Sequence, residues 1–299
     1  MSDVVGSRTA RTAPLLILAA ATLWGTAGAA QQLGPATINA PAVAALRSLI
    51  GGSLLLAVTV GWLGGDRIAA VWRRARAPSL VAALAMALFQ LGYFAGIQLT
   101  GVAIGTLVAI GSAPVTAGII DVVRGRVPGA RWLVATVITI AGAALLLAPT
   151  GGVGLRPLGV LAALTAGVAY ASYTAASKSA IDTGVDSTAV MAVTFGGAAV
   201  VLAPALAVVD VGWVASGRGL AVLAWLSVMT IATGYTLFAL GLRHLEASRA
   251  TTLTLAEPLT ATLLAVVVLR EPLSTVGLSG AGLMLVGLVL SGGGRRAMR

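Results

Sequence analysis

The sequence predicts an all-helical membrane protein with ten membrane-spanning helices, arranged as two five-helix repeats of opposite orientation. Three observations predict this fold: an extreme composition, a series of ten apolar runs and an internal repeat. Of the 299 residues, 58% are hydrophobic and only 9% are charged, whereas globular domains carry about 25% charged residues. Because this small number of charged residues cannot cover a water-exposed surface, the outer surface is predicted to contact the lipid bilayer.

The ten apolar runs are each about as long as a helix that crosses a bilayer, roughly 20 residues. Short polar connections separate the runs, and no linker or water-soluble domain interrupts the series. Ala27-Gly28-Ala29 in the first run resembles a signal-peptidase site, but this run is long enough to span and completes the first half. The predicted spans are residues 14–33, 40–63, 79–99, 101–121, 131–149, 157–177, 187–209, 219–242, 248–269 and 273–291.

The two halves of the chain repeat each other at an offset of 144 residues. Residues 103–128 and 247–272 agree at 8 of 26 positions, and the agreement includes Pro114 with Pro258. Matches of Ala and Val carry little weight in this composition, whereas the matched prolines are informative. The chain is therefore predicted to be an internal duplication.

An odd number of spans in each repeat inverts the second repeat relative to the first. The first repeat is predicted at residues 14–149 and the second at 157–291. With the N-terminus in the cytoplasm, fifteen Lys and Arg residues lie in inner segments and three in outer loops. Positive residues favour the cytoplasmic side. The sequence thus predicts a multi-pass protein of the cell membrane with both termini in the cytoplasm, and inverted repeats are a transporter architecture.

The scarcity of reactive side chains excludes several classes of function. The chain has no cysteine and one histidine, which excludes a disulfide framework, a thiolate metal site and a histidine metal cluster. The net charge of +10 is scattered between apolar runs, so no nucleic-acid surface is predicted. No GxxxxGK[ST] loop occurs, so ATP hydrolysis is not expected. We predict neither a cofactor nor a metal.

Glu257 is the one acid deep inside a predicted span, where an ionisable residue is a candidate functional group by default. Pro258 follows it and has no N–H, so the helix is predicted to break and free the carbonyl of Thr254. Pro114 is predicted to break the fourth span and free the carbonyl of Ile110, and the alternative is a tolerated kink without a function. A freed carbonyl beside a buried carboxyl suits a proton, an amine or a cation. The alternative is a packed, protonated Glu257 that only contacts a neighbouring helix.

Several other polar and aromatic residues fall at mid-depth in the predicted spans. Membrane proteins normally keep Trp and Tyr at the interfaces, so these residues are candidates to line a central cavity and bind substrate. Packing between helices is the alternative for each of them. Arg47, the one basic residue within a span, can bind an anionic group or only brace the fold. The mid-depth candidates are Trp24, Gln90, Tyr93, Tyr170, Tyr173, Thr174 and Tyr235.

The chain resembles the drug/metabolite transporter superfamily, in particular its EamA branch. Three short motifs carry the resemblance by their order and spacing: Leu23-Trp24-Gly25, Glu257-Pro258-Leu259 and Arg270-Glu271-Pro272-Leu273. The resemblance covers nearly the whole chain. It implies a secondary transporter that exports small organic metabolites, such as amino acids, amines or drugs, by alternating access. The first half has Arg126-Val127-Pro128 in place of the third motif, so Glu271 has no counterpart.

Two other functions are alternatives to export of organic solutes. Exchangers of phosphorylated metabolites also occur in the superfamily, but a phosphate site needs several Lys or Arg. Only Arg47 and Lys178 lie within or beside a span here. A membrane-embedded enzyme normally needs clustered carboxylates, His or Cys, whereas this chain has one acid deep in a span, one His in a loop and no Cys. Glu257 makes coupling to protons a hypothesis, and the sequence contains no information on oligomeric state.

Overall fold

The structure is a computed structural model that describes residues 2–147, 156–268, 270 and 273–292, without the side chains of residues 2–11, 40, 102 and 103. This part of the chain is almost entirely helical and contains no strand. Nine helical segments in it are long and apolar enough to cross a membrane, and a shorter apolar helix, Ala130–Leu146, makes the tenth. The predicted helical membrane fold is therefore confirmed. Glu271 and Pro272 lie outside the described residues.

The helices follow the predicted spans closely, and polar caps set several of their ends. In chain order they are α1 (Ser2–Gln32), α2 (Ala40–Val58), α3 (Gly65–Arg74), α4 (Arg76–Thr100), α5 (Val102–Val123), α6 (Ala130–Leu146), α7 (Pro157–Asp182), α8 (Ser187–Leu202), α9 (Gly217–Trp225), α10 (Gly234–Leu242), α11 (Ala247–Thr254), α12 (Glu257–Val267) and α13 (Thr275–Gly292). The side chain of Asn39 accepts from the Ala42 N–H at 2.9 Å and caps α2. Asp186 caps α8 by accepting from the Thr188 N–H at 2.9 Å.

Two spans contain π-helical turns, and one extra helix is present. The second span continues from α2 through the π-helical turn Thr59–Leu63, and the eighth joins α9 to α10 through the π-helical segment Leu226–Thr233. Such turns often occur at functional sites. The short helix α3 was not predicted from hydropathy. It follows Gly64, where a φ of 85° turns the chain.

The two prolines that align in the repeat have different local structures. α5 runs unbroken through Pro114, so the predicted break of the fourth span is wrong. A proline removes one helical hydrogen bond, and a packed membrane helix tolerates that loss. The ninth span does break: α11 ends at Thr254, and Pro258 lies in the first turn of α12, where its missing N–H costs nothing.

The helices pack in pairs that are related by exchange of the two halves. α2 packs on α8, and α6 packs on α13; in both pairs the two helices hold the same place in the two halves. The contact of α4 with α7 corresponds in the same way to the contact of α10 with α1. At the α6–α13 crossing, a Cβ on Gly142 would lie 2.8 Å from the Gly280 carbonyl oxygen, because these glycines let the two backbones approach closely. Two halves around a two-fold axis would pack in this way. The domain bounds stay a prediction.

Candidate functional site

A cavity of about 400 Å³ lies between helices of both halves. This volume is within the usual range of small-molecule sites. Its wall is mostly apolar and aromatic, with a few polar groups set into it. α1, α2, α4 and α5 of the first half line it together with α7, the Leu226–Thr233 segment, α10, α11 and α12 of the second. A molecule bound there would contact both halves of the protein.

Seven of the eleven residues singled out from the sequence line this cavity. They are Trp24, Arg47, Tyr93, Tyr170, Tyr235, Glu257 and Pro258. The other four do not line the cavity. They are Gln90, Tyr173, Thr174 and Pro114, none of which is among the lining residues. The structure therefore shows no contact between these four residues and the cavity.

The break in the ninth span places Glu257 at the start of α12, on the cavity wall. Gly25 of α1 packs against it. A Cβ on Gly25 would lie 2.6 Å from both the Glu257 carbonyl oxygen and the Thr260 Cβ, so only a glycine allows α1 to come this close. The two motifs Leu23-Trp24-Gly25 and Glu257-Pro258-Leu259 therefore meet at the cavity. Sequence reasoning used Gly25 for the resemblance but missed this packing role.

The side chain of Trp24 is held in place by a hydrogen bond to the π-helical segment of the eighth span. Its indole N–H donates to the Thr230 carbonyl oxygen at 2.8 Å, and its ring centroid lies 4.6 Å from that of Tyr235. Tyr235 in turn lies 4.2 Å from Phe195 between ring centroids. Aromatic pairs at such distances add stability beyond burial. Trp24 is thus a rigid part of the wall.

Two successive hydrogen bonds link Arg47 to Gln90 and Gln90 to Ser48. The Arg47 guanidinium donates through Nη2 to Gln90 Oε1 at 2.9 Å, and Gln90 Nε2 donates to the Ser48 hydroxyl at 2.9 Å. Gln90 is only 1% exposed. Its role in the structure is therefore to position Arg47, not to line the cavity.

Arg47 and Glu257 face the same cavity without forming an ion pair. In the part of the chain that the structure describes, the ion pairs join Arg126 to Asp182, Arg126 to Glu246 and Lys178 to Asp182. The cavity thus presents a cationic and an acidic group that are separate from each other, and each is accessible to a bound solute.

Gln90→Leu is expected to lower the stability of the protein by about 1–3 kcal/mol. The change removes the acceptor of a charged donor and the donor to Ser48, and unpaired buried polar groups cost this much. Gln98→Leu is the matched control, since Gln98 lies on the same helix but is exposed. Thermal unfolding in detergent would compare the two variants. Equal melting temperatures would contradict the positioning role of Gln90.

The cavity opens at one end of the bundle and is closed at the other. Its lining extends to Gln32, the last residue of α1, and to Leu147 at the end of α6. At the opposite end, polar contacts join the halves. The buried Asp121 carboxylate accepts from the Ser248 N–H at 3.1 Å, and the Trp132 indole N–H donates to the Thr252 hydroxyl at 3.0 Å.

The EamA-like transporter family matches this chain over residues 11–148 and 157–293. The chain belongs to this family. It is 40% identical over 278 residues to a Bacillus subtilis (strain 168) protein named uncharacterized transporter YwfM, and the alignment covers 92% of each chain.

A solved crystal structure without a functional description shares the fold of this EamA-like protein. Its TM-score is 0.80 at 22% identity, over 93% of this chain and 96% of that one. The resemblance stated from the sequence is confirmed by the family match. This EamA-like protein is a multi-pass membrane transporter.

Proposed function

We propose that this EamA-like transporter is a secondary transporter that exports small organic metabolites by alternating access. The observation that carries the proposal is the cavity between the halves, which is open at one end and sealed by polar contacts at the other. Its aromatic wall suits the apolar part of a small solute. Arg47 and Glu257 supply separate charged groups for polar ends, which fits amino acids, amines or drugs.

The contacts at the closed end suit a seal that opens and closes. Arg126 reaches Asp182 at 3.5 Å and Glu246 at 3.4 Å, and its side chain is 43% exposed. Exposed ion pairs of this kind contribute only about 0–1 kcal/mol each. These ion pairs can therefore break and re-form at small cost in free energy, as opening of this end requires. Opening this end while the other closes would complete the transport cycle.

Counterflow in proteoliposomes tests the proposal. The purified full chain is reconstituted in vesicles preloaded with unlabelled solute, and uptake of the labelled solute is followed for a panel of amino acids, amines and drug-like cations. We expect transient accumulation of at least one unchanged solute. Conversion of the label into a new chemical species would indicate an enzyme instead. Counterflow restricted to phosphorylated metabolites would replace organic-solute export by anion exchange.

Single cysteines are expected to show that the closed end faces the cytoplasm. The chain has no cysteine of its own, so Gly217→Cys and Ala77→Cys give clean reporters at two exposed positions. Gly217→Cys should react with an impermeant thiol reagent on intact cells, and Ala77→Cys only after permeabilisation. Ala82→Cys, at a fully buried position, is the unreactive control. The reverse pattern would place both termini outside.

A further inference from the structure

Helix α3 is held at the membrane surface by the two spans that flank it. The second span ends at Leu63, and Gly64 turns the chain. The next span begins at Arg76. α3 has ten residues, about 15 Å at 1.5 Å per residue, so it is too short to cross a bilayer. It therefore lies where the lipid head groups are.

One face of α3 is covered by protein, and the remainder carries a net positive charge. Val71 is fully buried and Ile68 packs against the core, on the side that contacts α4 and α8. The sole acid of the helix is Asp66. None of the basic residues of this segment takes part in an ion pair within the described residues. The exposed arginines are Arg67, Arg73, Arg74 and Arg76.

Two exposed tryptophans flank this positive charge. Trp62 is 87% exposed and Trp72 is 46% exposed. In water such rings would be unfavourable, whereas Trp is enriched at the bilayer interface because its ring is amphipathic. Trp62 is the last residue but one of the second span, and Trp72 lies on α3 itself. Both observations, the unpaired arginines and the exposed rings, point to the same neighbour: lipid.

We propose that α3, together with Trp62 and Arg76, forms a binding surface for anionic phospholipid head groups. Guanidinium groups form paired hydrogen bonds with phosphate oxygens, and juxtamembrane basic segments attract anionic lipid. The buried face of α3 contacts α4 and α8, so a bound lipid would be attached to both halves of the bundle. This surface is separate from the solute cavity, and its test does not depend on the proposed transport function.

Quenching of tryptophan fluorescence by brominated lipid tests the proposal. The full chain is reconstituted in vesicles of equal phosphatidylglycerol and phosphatidylcholine, with bromine on the chains of only one of the two. The signal from the surface is the difference between the wild type and the variant W62F/W72F. We expect brominated phosphatidylglycerol to quench this difference signal more strongly than brominated phosphatidylcholine does. The preference should fall at high salt, because the attraction between surface charges is screened.

R73Q/R74Q should remove most of this lipid preference. Each arginine near an anionic surface raises the local affinity roughly fivefold, so two replacements correspond to a loss of roughly 25-fold in affinity. R73K/R74K keeps the charge and should keep the preference. The matched control is R156Q/R218Q, which removes two exposed arginines from the opposite end of the bundle. Equal quenching by both lipids in the wild type, or an equal fall in R73Q/R74Q and R156Q/R218Q, would overturn the proposal.

Discussion

Glu257→Gln is expected to abolish transport driven by a pH gradient while the protein still folds. Glu257 is the acid in the cavity wall, and it forms no ion pair within the described residues. A carrier driven by protons must bind a proton on one side and release it on the other. Gln has the shape of the neutral acid but cannot take up or release a proton, so coupling is lost while packing against Gly25 is kept.

The measurement is solute accumulation in proteoliposomes with and without an imposed pH gradient. Solute exchange without a gradient is expected to survive in Glu257→Gln, because binding by the rest of the cavity is unchanged. Asp66→Asn is the matched control, since it makes the same acid-to-amide change at an exposed position on α3. If Glu257→Gln transports with the pH dependence of the wild type, the acid is structural and proton coupling does not pass through it.

Gly25→Ala is expected to destabilise the protein by roughly 1–3 kcal/mol, the usual cost of overpacking. The added methyl would lie 2.6 Å from the Glu257 carbonyl oxygen and from the Thr260 Cβ, and the Ala261 nitrogen is 3.1 Å away. Backbone atoms cannot rotate away as a side chain does. α1 must therefore separate from the start of α12, and the cavity wall at Glu257 would open.

Gly28→Ala is the matched control, one turn further along α1. A Cβ on Gly28 would meet nothing within 4 Å, and replacing a glycine within a helix by alanine stabilises it by up to about 1 kcal/mol. Melting temperatures in detergent should therefore move in opposite directions for the two variants. A Gly25→Ala protein as stable as Gly28→Ala would show that α1 does not pack closely at the break.

Seven of the eleven candidate site residues line the cavity. The other four do not, because the depth of a residue in the membrane does not determine the direction of its side chain. Mid-depth position is readable from hydropathy, so Trp24, Tyr93 and Glu257 could be selected together. Tyr173 is at similar depth, yet its hydroxyl donates to the Met191 sulfur at 3.2 Å and it does not line the cavity.

Gln90 is a second residue whose role could not be predicted from its depth in the membrane. Its mid-depth position predicts a cavity residue, but in the structure its amide supports Arg47 instead. The partner of a buried amide lies on another helix, 43 residues away in this case, and no local pattern indicates it. For Gly25 the sequence shows the motif Leu23-Trp24-Gly25, but it does not show the contact with α12 that requires a glycine there.

The sequence by itself determined the membrane spans and the position of one acid at mid-depth, because the transfer of apolar segments into lipid is a local term. Tertiary structure alone decided that the ninth span breaks before Pro258 while α5 continues through Pro114, and that α3 lies at the surface. It also decided that Arg47 and Glu257 share a cavity without pairing. Those outcomes depend on helix rotation and on contacts between distant segments, which no single stretch of the sequence specifies.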